Sequence, residues 1–331
     1  MILYLTEQGA TAKVDEGQIV IECKDGLVRK IPKELVDTVT IFGQVQLSHA
    51  FQVHCLTRGI PIAYLSIHGK YFGRTISTSQ TNILRLKEQI RMSSSEQFCL
   101  EFGKIIINAK LNNQITILRR YRHYCDEVLS DINEIIKYKR GIDRAESLNQ
   151  INGYEGIAAR SYWRGISKVL PKEFQFDGRS RRPPKDPFNS MISLGYTLLL
   201  NEITAYLEQQ NLSPFCGFMH QDHDGHPSLA SDLIEEWRAV VVDSYVIHQL
   251  LNGKVNPEDF EKMENGGILI NSKYLKLFLK GFEDKLNTSQ KYLAYINEPI
   301  SFRRALYQQV LCLVRAIEAG DPSLYSPINI R

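Results

Sequence analysis

The sequence predicts an α+β protein in two parts: a small β domain with one helix over residues 1–78 and a larger all-α domain over residues 79–331. Three observations carry that reading. Up to Ser77 the apolar residues fall in short, β-branched runs bounded by Gly and Pro. After Gln80 they recur every three or four positions and continue to do so. The length of 331 residues also exceeds the roughly 100–200 of a usual single domain.

In chain order, QIVIEC reads as a strand, KDG as a turn, and VTIFG and PIAYLS as further strands. Ser48 is placed to cap a helix over HAFQVHCLTR, and Gly59 to end it in the left-handed region. The helical part opens at Ile83, Leu84, Lys87 and Ile90. A capping box, Ser93-x-x-Glu96, then precedes Phe98, Phe102, Ile105, Ile106 and Ala109. Helical periods follow in DEVLSDINEIIKYK, NGYEGIAARSYW, NSMISLGYTLLLNEITAYLEQ, SLASDLIEEWRAVVVDSYVIHQLL, KYLKLFLKGFEDKL and FRRALYQQVLCLVRAIEA. Between them, FDGRSRRPPKDPFN holds Pro183, Pro184 and Pro187 and must be a surface loop. No fixed-period repeat interrupts the pattern.

Hydrophobic residues at 43% and charged residues at 23% suit a packed core and exclude a disordered chain. A net charge of +3 is too small for a surface that is basic overall, so binding to nucleic acid would rest on local patches. One is GRSRRPPKD, where Arg179, Arg181, Arg182 and Lys185 sit on a proline-stiffened backbone suited to phosphates; its other reading is a solvated loop. A second is ILRRYRHY, with Arg119, Arg120 and Arg122, whose other reading is an exposed helix face. Six separated cysteines with no C-x-x-C pair, and no cleavable signal before MILYL, read as a reduced, cytoplasmic protein. The longest apolar runs fall short of the roughly 20 residues that span a bilayer. HGKYFGR lacks the glycine spacing of a phosphate-binding loop, and no Gly-x-Ser-x-Gly elbow occurs.

The densest cluster of chemistry-bearing residues is GFMHQDHDGHPSLASDLIEEWR. Ser228 is placed as the N-cap of a helix whose apolar stripe is Leu229, Leu233 and Trp237, and Asp232 and Glu235 lie three apart on it. That spacing lets both carboxylates address one ion; equally, acids near a helix start complement its dipole. Glu155, between Gly153 and Gly156 and followed by Ala158 and Ala159, suggests a helix face that something bulky approaches; the alternative is an exposed acid on a frayed end. If Glu155, Asp232 and Glu235 converge, with His220 adding an imidazole, a divalent cation offsets their repulsion, and the donor set suits Mn²⁺ or Mg²⁺. Cys216, His220, His223 and His226 could be imagined as a zinc cluster, but four ligands in eleven residues around Asp222 and Asp224 need a contorted backbone. Cys216 reads as a small apolar residue, and His223 and His226 as loop residues.

These segments, with DPFNSMISLGYTLL, HGKYFGR, GGILINSKYLKLFLKGFEDKL and SFRRALYQQV, resemble the CRISPR-associated integrase family along nearly the whole chain. The resemblance implies a metal site held by Glu155, His220 and Glu235 in the helical domain, with Asp232 as an additional catalytic acid beside it. Glu235 matches the DLxE form of a motif that ends in Asp in other members. It also implies homodimers joined by a small ferredoxin-like adaptation partner, and double-stranded DNA as substrate. The implied reaction is strand transfer, in which the 3′-hydroxyl of a captured fragment attacks a phosphodiester of the CRISPR repeat. Two other readings stay open: a metal-dependent nuclease that does not integrate, and a non-catalytic DNA-binding scaffold.

Overall fold

The structure is a computed structural model that describes residues 1–78, 82–220 and 223–331. The chain forms two compact units, Met1–Thr81 with Asn271–Lys276, and Asn82–Ile270 with Leu277–Arg331.

The first unit is β-rich. Strands β1 (Ile2–Leu5), β2 (Thr11–Asp15), β3 (Gln18–Glu22), β4 (Val28–Pro32), β5 (Thr38–Phe42) and β6 (Gln46–Leu47) precede helix α1 (His49–Arg58), which β7 (Ile62–Leu65) and β8 (Tyr71–Thr75) follow. They form two four-stranded sheets of order β4-β3-β2-β6 and β1-β5-β7-β8. Apolar residues from both, among them Ala12, Ile19, Val39 and Ile62, bury together with Phe51 and Cys55 of α1. The caps of α1 are those the sequence predicts: the Ser48 side chain accepts from the Phe51 amide, and Gly59 ends the helix at φ 68°.

The second unit is mostly helical: α2 (Ile83–Ser93), α3 (Glu96–Tyr121), α4 (Val128–Asp143), α5 (Leu148–Val169), α6 (Pro187–Gln209), α7 (Ser228–Trp237) and α8 (Ser244–Leu251). Short antiparallel pairs, β9 (Phe260–Lys262) with β10 (Ile268–Ile270) and β11 (Ser289–Gln290) with β12 (Ile300–Ser301), also occur, along with α9 (Ser272–Asn287) and α10 (Phe302–Ala319). Helix α3 is buried on most sides, which marks it as a central element.

Three local expectations are corrected. Ser93 is not a cap: it ends α2 with its hydroxyl donating back to the Ile90 carbonyl, while Ser95 accepts from the Phe98 amide and starts α3. Ser228 is the first residue of α7 and not its cap, because Pro227 occupies that position. The loop before α6 ends sooner than predicted, since Asp186 caps the helix and Pro187 sits in its first turn, where a missing N–H costs nothing. One feature has no trace in the periodicity: residues Arg238–Asp243 form a π-helical stretch between α7 and α8. Among the described residues no helix is long and apolar enough to cross a membrane.

Candidate active site

Asp232 organises the loop ahead of α7. Its buried carboxylate accepts the backbone N–H groups of Phe218 (2.7 Å), Met219 (3.1 Å) and His220 (3.0 Å), and Oδ1 lies 2.6 Å from His220 Nδ1. Asp232 therefore serves the incoming chain and not the dipole of its own helix. The approach is close. A Cβ on Gly217 would stand 3.0 Å from Asp232 Oδ2 and 2.8 Å from Ser228 Cβ, so only glycine lets the loop pass there. Because Nδ1 is engaged by the acid, Nε2 is the ring nitrogen left to ligate or accept. The Asp232 hydrogen bond holds the imidazole above its usual pKa, against the opposing effect of burial.

Glu155 falls on the inward stripe of α5, in register with the buried Ile151, Ala158, Tyr162 and Ile166. Its Oε1 accepts from the ammonium of Lys110, 2.5 Å away, and the same Nζ stands 2.5 Å from Oε2 of the buried Glu235. The second contact is likewise a close ion pair, so one ammonium bridges both carboxylates. Burial works against ionising Glu235, yet Arg238 and Lys110 pull its pKa down to about 2. Burial likewise opposes the charge on Lys110, but Glu235 and Glu155 outweigh it and hold its pKa above the usual lysine value. Arg238 contacts Glu235 Oε1 at 3.2 Å and lies over the Tyr196 ring at 4.4 Å.

Lys110, Gln114, Glu155, His220, Glu235 and Arg238 line one cavity of about 160 Å³. A groove of about 890 Å³ shares Glu155, Ala159, Trp163, Arg179 and Arg181 with it and adds Arg160, Arg164 and Lys168. The structure thus brings Glu155, His220 and Glu235 to one cavity, with Asp232 behind the imidazole. Among the described residues it does not close any three His, Cys, Asp or Glu side chains into a metal-holding group. The donor chemistry nonetheless fits a divalent ion: two carboxylates, one of them buried, already gather around a positive charge beside an imidazole.

The small residues around Glu155 have a different meaning from the predicted one. Among the described residues nothing lies within 4 Å of a Cβ placed on Gly153 or Gly156, so none of them approaches there. Cys216 points to Ser93, its Sγ 3.2 Å from Oγ, while His223 is exposed; Asp222 lies outside the described residues. In the basic loop, Arg179 is largely committed to the protein. It donates to the Ser180 carbonyl and Asn189 Oδ1, each at 2.6 Å, and to Ser193 Oγ at 3.0 Å, and burial lowers its pKa to about 10. Arg181, Arg182 and Lys185 are exposed. In the second basic segment, Arg120 donates to the Arg331 carbonyl and Arg122 pairs with Asp126.

Sequence reasoning missed Lys110, Gln114 and Arg238, and also a support behind them. Glu236 is fully buried; it accepts from Tyr325 Oη, from Gln309 Nε2 at 3.0 Å and from the Ile328 amide at 2.8 Å. Asn113 donates to the carbonyls of Glu236 (2.9 Å) and Ile328 (3.0 Å) and accepts from the Ile330 amide (2.9 Å). The signal available was polar residues on a buried helix: AKLNNQI places Lys110, Asn113 and Gln114 among core positions.

Burial pushes the Glu236 carboxyl up to about 7, from an ordinary value of 4.5, despite the hydrogen bonds from Tyr325 and Gln309. A raised carboxyl binds its proton more tightly in the folded state, so its contribution to stability is complete below pH 4.5 and is lost as pH rises to about 7. The loss amounts to about 3 kcal/mol. Thermal melting across pH 5–8 is expected to show this fall in the wild type and not in Glu236→Gln; parallel profiles would refute it.

Comparison with known proteins places these residues in context. The family model for CRISPR associated protein Cas1 matches residues 3–284. A CRISPR-associated endonuclease Cas1 of Mycobacterium tuberculosis is 33% identical over 329 residues, covering 99% of this chain and 97% of that protein. Among solved structures, a chain of a Cas6-RT-Cas1–Cas2 complex is similar with a TM-score of 0.87 at 25% identity, covering 100% of this chain and 36% of that one. A Cas1 protein from Thermotoga maritima shares the fold at a TM-score of 0.83 and 24% identity, over 97% and 98% of the two chains.

Proposed function

The chain belongs to the CRISPR-associated Cas1 family, and from that membership we propose that it is a divalent-metal-dependent DNA integrase of CRISPR adaptation. One observation carries the reading: Glu155, His220 and Glu235, from two helices and the loop between α6 and α7, line a single cavity beside a basic groove. Glu155, His220 through Nε2, and Glu235 would hold Mn²⁺ or Mg²⁺. When bound, the ion supplies Lewis-acid polarisation of a phosphodiester and stabilises the leaving oxygen.

The chain's own residues do the rest. Asp232 fixes the tautomer and direction of His220. Arg238, pressed against Glu235, keeps that carboxylate ionised so that it can ligate. Arg160 and Arg181 along the groove contact phosphates of double-stranded DNA and position without reading bases; Arg164 and Lys168 in the same groove are paired with Asp131, and Arg182 and Lys185 extend the positive surface. The substrate's 3′-hydroxyl is the nucleophile, and Glu155 is the most solvent-open acid placed to orient it. The family relationship and the likeness to a chain of a Cas1–Cas2 complex support a homodimer that works with a small ferredoxin-like partner in the cytoplasm.

Incubating the protein with a short duplex and a repeat-bearing plasmid in Mn²⁺ is expected to yield covalently joined DNA, abolished by chelator. Cut ends with no joined product would favour the nuclease reading. DNA binding with no metal-dependent product of either kind would favour a scaffold.

A further inference from the structure

We propose that Lys110 is a resident counter-ion that keeps the place of the divalent cation in the metal-free protein, so that loading the site exchanges one cation for another. The inference rests on the metal-dependent reading given above.

Glu155 and Glu235 come from different helices, α5 and α7, and their carboxylates face each other across the Lys110 ammonium, 2.5 Å from each. Without a cation there, two ionised groups at this separation repel by several kcal/mol at an effective dielectric of about 20. Lys110 removes that repulsion from the middle of α3, where buried Ala109, Leu111 and Asn113 around it fix its backbone. The ammonium meets Glu235 as an ion pair at Oε2, a contact that a divalent cation can take over.

A second observation shows where a displaced ammonium would go. Gln114 lies one turn further along α3, lines the same cavity and is only 3% exposed. Its Oε1 has no hydrogen-bond partner among the described residues. A buried amide oxygen left unpaired is costly, and a lysine four residues away on the same helix face is a donor able to satisfy it. Arg238 stays with Glu235 Oε1 and the Tyr196 ring in either state, so the exchange concerns Lys110 alone. Lys110 thus acts as a positioning residue: it keeps the two carboxylates face to face before the metal arrives and yields to it afterwards.

The experiment uses the full chain without DNA, with Mn²⁺ as the only ligand, read by calorimetry and by thermal melting. Lys110→Met is expected to melt below the wild type in the absence of metal, to bind Mn²⁺ about tenfold more tightly, and to gain more in melting temperature at saturation. A folded Lys110→Met protein whose Mn²⁺ affinity equals or falls below that of the wild type overturns the exchange. Gln114→Leu provides an independent arm if Lys110→Met fails to fold. It removes the acceptor for the displaced ammonium and is expected to weaken Mn²⁺ binding several-fold with little change in metal-free melting, whereas unchanged binding overturns the proposal. Failure of the wild type to bind Mn²⁺ at all would instead overturn the metal-dependent reading, a result distinct from either.

Discussion

His220→Ala is expected to reduce strand joining by about a thousandfold, while DNA affinity and melting temperature stay close to those of the wild type. Among the described residues that line the cavity, His220 supplies the one imidazole beside the two carboxylates, and Asp232 already engages its Nδ1. Loss of a ligand that holds a Lewis-acid ion forfeits several kcal/mol of transition-state stabilisation, and about 4 kcal/mol corresponds to a thousandfold. Folding suffers little because the side chain is partly exposed and the fold-making contacts of this loop run through backbone N–H groups. His226→Ala is the control: its ring lies 6.1 Å from that of His220 and lines neither cavity. Joining within about threefold of wild type in His220→Ala, measured on the same plasmid, would remove the imidazole from the chemistry.

Asp232→Ala is expected to cost both stability and activity. Three backbone N–H groups lose the buried carboxylate they donate to, and the partly exposed imidazole loses its partner. At about 1–3 kcal/mol for each N–H left unsatisfied, the three together reach roughly 3–9 kcal/mol, a large part of a normal folding free energy. Asp232→Asn keeps one oxygen acceptor and is expected to recover much of the stability. Its amide presents the wrong partner to either the backbone or Nδ1, so metal affinity remains about 10–100-fold lower. Chemical denaturation of both variants, paired with Mn²⁺ titration, separates the two effects; an Asp232→Ala protein as stable as the wild type would show that the loop does not depend on this carboxylate.

Much of the fold was legible because its determinants are local. The cap residues Ser48 and Gly59 and the change of period after the β-rich segment depend on neighbours a few positions away. The acids of the site were legible for a related reason: Asp232 and Glu235 sit on one short helix, and Glu155 interrupts an apolar stripe. What stayed hidden depends on contacts made across the chain. Nothing near Lys110 in sequence announces that carboxylates 45 and 125 positions later will meet at its nitrogen. The π-helical stretch at Arg238 is a backbone adjustment to packing, and residue periodicity over VVVD cannot distinguish it from an ordinary helix. Gly153 and Gly156 misled in an instructive way, since an absent side chain can make room for a molecule that is not part of the protein.

The lacing of residues 325–330 onto Asn113 and Glu236 bears on how the molecule comes off the ribosome. Asn113 must wait for Ile330, synthesised 217 residues later, before its side-chain oxygen finds an amide. At about 5–20 residues per second, that interval spans tens of seconds in which the two helices bearing Lys110 and Glu235 lack their fastening. Contacts of such long sequence separation make the final closure of this part of the fold slow.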